Sequence, residues 1–199
     1  MRKLLVHEFV TLDGIMQAPG GPDEDRDGGF THGGWTRPYW HDDIGASFGA
    51  AMQGVDAFLL GRKTYVTHAE AFEPMPAGDP FGDLMNTPAK YVVSKTLREP
   101  IWRNTTIIRD DVVASIRALK SRPGGTIVTD GSSQLVHTMI EHDLIDELHL
   151  HVYPIALGRG KRVFPQSGID VRYKLVETRP YPTGVVGLKY IRELTAEAR

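Results

Sequence analysis

The order of secondary-structure signals constrains this chain more than any other feature. Up to about Asp143, short apolar runs alternate with stretches of helical periodicity; beyond it only strand-like segments follow. Parallel strands need a crossover of a dozen or more residues, usually a helix, whereas antiparallel neighbours need only a turn. The pattern therefore predicts an α/β domain whose parallel sheet is extended at one edge by antiparallel strands. Strands are expected at Lys3–Val10, Asp56–Leu60, Ala89–Val93, Thr105–Ile108, Thr126–Asp130, Glu147–Ile155, Val171–Arg179 and Val185–Glu193. The last two form a hairpin around Pro182-Thr183-Gly184. Pro38 stands where a first helix could begin, with Asp42 and Asp43 in its early turns and Ile44, Phe48 and Met52 on one face. Further helices are expected over Arg62–Ala71, from a cap at Asp110 to Ser121, and over Ser132–Asp143. The chain contains no internal repeat and no linker, so all 199 residues read as one domain.

Composition narrows the chemistry. The absence of cysteine excludes disulfides, cysteine–zinc sites, iron–sulfur clusters and thiol nucleophiles. Lys and Arg total 23 against 25 Asp and Glu, and a net charge of −2 argues against a dedicated nucleic-acid or anionic-membrane binder. No apolar run approaches a membrane span. His7 and Glu8 interrupt the apolar N-terminus, which is unlike a signal peptide, so a cytoplasmic protein is expected. Without a secretory signal, the sequon at Asn104-Thr105-Thr106 reads as chance.

Three strand ends carry unusual residues. Gly61-Arg62-Lys63-Thr64 puts two cations in the first turn of a helix, where they oppose its dipole unless an anion is held there. Ser94-Lys95-Thr96 surrounds a lysine with hydroxyls, as a phosphate monoester or an ordinary polar turn would want. Gly131-Ser132-Ser133 supplies a glycine for close backbone approach and a serine for a helix cap. Each alone is equally well a surface turn. In an open parallel sheet, however, the carboxyl ends of neighbouring strands share one crevice where ligands bind, and three such turns together suit an extended, multiply phosphorylated ligand. The Gly/Asp-rich stretch Asp13–Gly34 is too long for a plain connection and suits a lid, a binding loop or a mobile segment.

Other motifs are incomplete. Gly131-Ser132-Ser133-Gln134-Leu135 has Leu135 where a nucleophile elbow needs glycine, which weakens a serine hydrolase using Ser133. Gly158-Arg159-Gly160-Lys161 lacks the first glycine and the final Ser/Thr of a P-loop. His149 and His151 share a strand face without further metal ligands, so they read, with Tyr153, as a solvent-facing or subunit-contact surface.

The three turns, together with Thr11-Leu12-Asp13-Gly14, Leu144-Ile145-Asp146-Glu147-Leu148 and the run Pro154–Phe164, resemble the dihydrofolate reductase superfamily. The nearer resemblance is to the C-terminal reductase domain of bacterial bifunctional riboflavin deaminase-reductases, as a stand-alone domain. It covers nearly the whole chain, and the segment Asp130–Phe164 is its most specific part. It implies a dihydrofolate reductase-like three-layer fold with a mixed sheet of about eight strands, NADPH as cofactor, hydride transfer to a small pterin-like or pyrimidine substrate, and a homodimer. It further implies that Gly61, Arg62, Lys63 and Thr64 meet the cofactor phosphates. Ser94, Lys95 and Thr96 would lie near the adenosine 2′-phosphate, and Asp130, Gly131, Ser132, Ser133, Gln134 and Leu135 along the pyrophosphate. Asp130 stands where folate reductases have the first of paired glycines, and the cysteine-free chain has no zinc deaminase half.

Reduction of a C=N bond needs a proton as well as a hydride. Asp13, after the first strand, is the expected donor, with a carboxyl pKa raised by partial burial. Asp42 or Asp43 falls near the carboxylate of folate reductases, though both equally suit a helix start; Asp43 and Trp40 are the expected substrate contacts. Trp35 and Tyr39 could also stack on a flat heterocycle or simply be buried. The alternative to a reductase is a nucleotide-binding protein on the same scaffold without chemistry.

Overall fold

Strand β1 (Leu4–Thr11) is buried on both faces, as a central strand of a parallel sheet must be. In the computed structural model, which describes residues 1–166 and 168–193, β5 (Thr126–Thr129) and β6 (Glu147–Tyr153) flank it, both parallel to it. Beyond β5 come β2 (Val55–Gly61), β3 (Ala89–Val93) and β4 (Thr105–Ile108), also parallel. Beyond β6 lie β8 (Val186–Arg192) and β7 (Tyr173–Pro180), both pairings antiparallel. The eight-stranded mixed sheet thus has the order β4-β3-β2-β5-β1-β6-β8-β7. The expected fold class is what the chain adopts.

Among the described residues five α-helices cover the sheet. Helices α1 (Asp42–Ala51), α2 (Arg62–Phe72) and α3 (Pro80–Asn86) pack with Leu5, Phe58, Leu60 and Val128 on one face. Helices α4 (Val112–Ser121) and α5 (Ser133–Glu141) pack with Leu4, Val6, Leu59 and Ile127 on the other. The two sets alternate along β1 and β2 with the strand period of two. Helix α3 is an addition to the expected four, and is capped by Asp79 with Pro80 in its first turn. Pro38 belongs to a short 3-10 turn, and α1 begins at Asp42. Asp111, not Asp110, caps α4, accepting the Ala114 N–H at 3.2 Å.

The stretch Asp13–Gly34 is a packed loop. Trp35 donates its indole N–H to Gln17 O at 2.8 Å, Gln17 binds the carbonyls of Asp25 and Asp27, and Ile15, Phe30, Trp35 and Tyr153 form a third apolar cluster. Trp35 is therefore core, the bland one of its two readings. The outward-facing expectation for β6 is corrected too: His151 and Tyr153 are buried, because β6 lies inside the sheet with residues of the loop and hairpin over it. His149 is half-buried. Among the described residues no helix is long and apolar enough to cross a membrane.

Candidate active site at the carboxyl edge of the parallel sheet

The topology brings the ends of β2 and β5, and with them the first turns of α2 and α5, into direct contact. Ser132 is the N-cap of α5 but sits at φ 60°, and its hydroxyl makes no bond to its own helix. Instead Ser132 Oγ accepts the Gly61 N–H at 2.9 Å, and Ser132 N donates to Thr64 Oγ1 at 3.0 Å. The expected helix cap is thus a clasp between two strand ends. Gly131 at φ 60° is demanded by this clasp: a Cβ there would lie 2.9 Å from Thr64 Oγ1. Gly61 likewise caps α2 without a side-chain bond. Two helix N-termini uncapped by side chains therefore open side by side, with Arg62 and Lys63 exposed at the rim. Such an arrangement attracts anions.

A carboxylate already sits on this rim. Asp27, from the long loop, ion-pairs with Lys63 and lies 2.8 Å from Lys161 Nζ; the hydrogen bonds from Lys161 and then Lys63 hold its pKa well down. Any other anion reaching Lys63 would compete with this carboxylate.

At the end of β3, Ser94 is buried and its Oγ accepts the N–H groups of Thr96 (3.1 Å) and Leu97 (2.9 Å). Its hydroxyl oxygen builds the turn, while Lys95 and Thr96 stay exposed. Gln134 is exposed in the first turn of α5, Ser133 is half-buried, and Leu135 packs into the core.

Asp13 is placed otherwise than expected. Its carboxylate accepts from Thr11 Oγ1 at 2.5 Å, Gly158 N at 2.8 Å and Leu157 N at 3.2 Å, with Arg162 4.0 Å away. Burial raises its pKa, but the Thr11 hydroxyl and the two backbone N–H groups outweigh it, so the carboxyl is held low. That corrects the expected raised pKa; the geometry is a latch between the end of β1 and the loop after β6. Asp42 and Asp43 are both exposed, and His41 Nδ1 lies 3.6 Å from Asp43 Oδ2. Trp40 is 48% exposed and stands edge-on to Phe9 of β1.

Asp130, expected along the pyrophosphate, is instead paired under α1 and α2 with polar groups that sequence reading missed. His68 Nε2 is 2.9 Å from Asp130 Oδ2. Burial favours neutral imidazole, yet the Asp130 carboxylate reverses this and raises the His68 pKa; burial raises that of Asp130, but His68 and then His7 bring it below the ordinary value. His7, beside Asp130 on the neighbouring strand, is pushed down to about 3 by burial and by His151 and His149, so it is neutral. No local motif announces this cluster, because its members come from α2, the residue after β5, and β1.

Glu8 is the other buried group. Burial, and next the charge of Asp130, push its carboxyl well up, while the Gly131 N–H opposes them. It is 4% exposed and Oε1 has no partner. A folded state that keeps a proton the unfolded chain has lost grows less stable as pH rises, by up to about 1.4 kcal/mol per unit. Glu8→Gln is therefore expected to remove a downward stability slope that sets in as pH rises above the unfolded carboxyl's pKa of about 4.3. Denaturant midpoints of both proteins as pH is raised check it; parallel curves would show that Glu8 is ionised when folded.

Comparison with known proteins bears on this edge. Residues 2–187 match the model of the RibD C-terminal domain. Uncharacterized protein YyaP of Bacillus subtilis is 28% identical over 196 residues, covering 95% of this chain and 94% of that one. A putative riboflavin biosynthesis protein from Shewanella sp. PV-4 has the same fold, with TM-score 0.68 at 18% identity over 96% of this chain and 99% of that one. So does dihydrofolate reductase from Enterococcus faecalis, solved with NADP(H): TM-score 0.61 at 16% identity, covering 96% of each chain. With the clasped strand ends on a dihydrofolate reductase-like sheet and a family model matched over nearly its whole length, the chain belongs to the RibD C-terminal domain family.

Proposed function

We propose that this protein is an NADPH-dependent reductase of a small nitrogen heterocycle, akin to the reductase acting on a phosphoribosylamino-uracil in riboflavin synthesis or to dihydrofolate reductase. One observation supports this reading above others: the clasp of Gly61, Thr64, Gly131 and Ser132, which sets two side-chain-free helix N-termini beside Arg62 and Lys63. The residues fit the cofactor. Gly131 lets the first turns of α2 and α5 close on each other, so their N–H groups point to one place, the Lys63 position already holds a carboxylate, and Lys95 offers an exposed cation at the next strand end. When bound, NADPH supplies a hydride. The chain's own part is to bind the phosphates through backbone N–H groups and cations, to orient a flat ring beside β1 and α1, and to keep water away with the loop latched by Asp13.

The test is oxidation of NADPH followed by absorbance across a panel of pterins and aminopyrimidinones. Turnover of one member above background is expected. Tight NADPH binding with no turnover by any of them would favour the second reading, a nucleotide-binding protein without chemistry. The exposure of Asp42 and Asp43 and the latching of Asp13 favour that reading, since none of the three is poised as an acid.

The proposal includes a homodimer in the cytoplasm. Its contact surface shifts from β6 to the sheet edge at β7, which is exposed on both faces and carries Leu175 and Val176 at 45% and 46% exposure. An exposed edge strand with two adjacent apolar side chains offers a surface for pairing with a second copy. Light scattering at micromolar concentration is expected to give twice the chain mass, and Val176→Lys to halve it. A monomeric wild type would contradict the assignment.

A further inference from the structure

Lys63, in the exposed first turn of α2, is held by a carboxylate 36 residues away in the chain: its ammonium pairs with Asp27 Oδ2, on the segment between β1 and α1. The two side chains are 56% and 44% exposed. Such a pair adds little to folding, because solvent screens it and two side chains must be ordered to make it. A scaffold carries it all the same. Gln17 Nε2 donates to the carbonyls of Asp25 and Asp27 at 3.1 Å each, Gln17 Oε1 accepts the Lys161 N–H at 3.0 Å, and Arg159 donates to Gly29 O at 3.0 Å. The loop after β1 and the loop after β6 together fix where Asp27 stands.

One oxygen of Asp27 serves two cations. Lys161 Nζ lies 2.8 Å from the same Oδ2 and also pairs with Asp25. When Lys63 turns away, Asp27 keeps Lys161, so the carboxylate is not left unpaired. The backbone there has room to adjust: Gly28 and Gly29 follow at φ 64° and 72°, and nothing lies within 4 Å of where a Cβ would stand on either. Lys63 itself neighbours Thr64, which is bonded into the clasp. It can exchange one anion for another, and the chain supplies the first.

We propose that Asp27 sets the affinity of the cofactor site as an intramolecular anion: it occupies Lys63 in the free protein, and a cofactor phosphate takes its place while Asp27 stays with Lys161. The inference rests on the reductase reading, which gives Lys63 to the phosphates, and goes beyond it by assigning the chain a competitor of its own. Where the Asp27–Lys63 pair is formed, that cation is not free, and apparent affinity falls with the free fraction. An exposed pair of ordinary strength lowers it about two- to sixfold. Because one anionic contact replaces another, salt weakens cofactor binding less than it would without Asp27.

The experiment is a double-mutant cycle read by calorimetric titration with NADPH. Asp27→Asn is expected to bind NADPH about two- to sixfold tighter than wild type and to lose affinity more steeply as salt is raised. Asp27→Ser is expected to do the same, so the result does not hang on one variant. Lys63→Met is expected to bind more weakly than wild type, and in that background Asp27→Asn is expected to change nothing, because the contact it frees is gone. Thermal melting confirms that each variant is folded. Tightening that persists without Lys63 would mean that Asp27 repels the cofactor through space, and would overturn the exchange. So would folded Asp27→Asn and Asp27→Ser proteins that bind NADPH no more tightly than wild type; the reductase reading then stands, since the cofactor still binds. Failure of wild type and of both Asp27 variants to bind NADPH would remove the reading and the inference together.

Discussion

Gly131→Val is expected to abolish measurable NADPH binding and to destabilise the fold. The residue sits at φ 60°, a region that costs a side-chain-bearing residue about 1–2 kcal/mol and a β-branched one more. Its new Cβ would also lie 2.9 Å from Thr64 Oγ1 and 3.0 Å from Thr64 Cγ2, closer than carbon tolerates. Relief requires moving the first turn of α2 away from α5, which breaks the Ser132 N–H bond to Thr64 and then the Gly61 bond to Ser132. Strain and lost bonds together predict a loss of about 2–4 kcal/mol in unfolding free energy. Gly131→Ala should fall between. Denaturant unfolding and a cofactor titration check the pair, and a valine variant that binds NADPH as wild type does would show that the clasp is not the phosphate site.

A second large effect is expected in cofactor choice. Lys95 stands exposed at the end of β3, on a turn that Ser94 stiffens by accepting two backbone N–H bonds. A cation held on a rigid turn can meet a 2′-phosphate at little entropic cost. One charge-assisted contact is worth about 1.5–3 kcal/mol, so NADPH should bind about 10–100-fold tighter than NADH. Lys95→Ala should narrow that gap about tenfold with little effect on NADH. Equal affinity of wild type for both cofactors would assign Lys95 to the surface alone.

Most of the architecture is legible in the sequence, because it rests on local periodicity. The strand at Ala89–Val93 and the helix after Gly61 coincide with β3 and α2 to within a residue. Helix α3 escapes notice because Pro80–Asn86 is two turns long, lies between glycine- and proline-rich segments and has too few residues to display a period. Alternation in Glu147–Tyr153 shows that the strand has two distinct faces but not what covers them; His151 is buried by Phe9 and Tyr181, residues 142 and 30 positions away. The site divides in the same way. Gly61, Thr64, Gly131 and Ser132 stand out as strand-end turns, and topology places them together. The Ser132 hydroxyl reads as a cap from its neighbours alone, since only tertiary structure turns it towards Gly61. Asp13 is noticed for its position, yet its role depends on the N–H groups of Leu157 and Gly158, far along the chain. His68 and Asp130 are 62 residues apart, and nothing local to either shows the pair.

The central claim is that the carboxyl edge of this sheet, at the clasp of β2 and β5, holds a reduced nicotinamide dinucleotide. Calorimetric titration of the intact chain with NADPH tests it most directly. The account predicts saturable binding of one NADPH per chain, weakened by added salt as phosphate contacts require and absent in Gly131→Val. No detectable binding to wild type at cofactor concentrations of about 1 mM, where an affinity of only about −4 kcal/mol would already show, would contradict it.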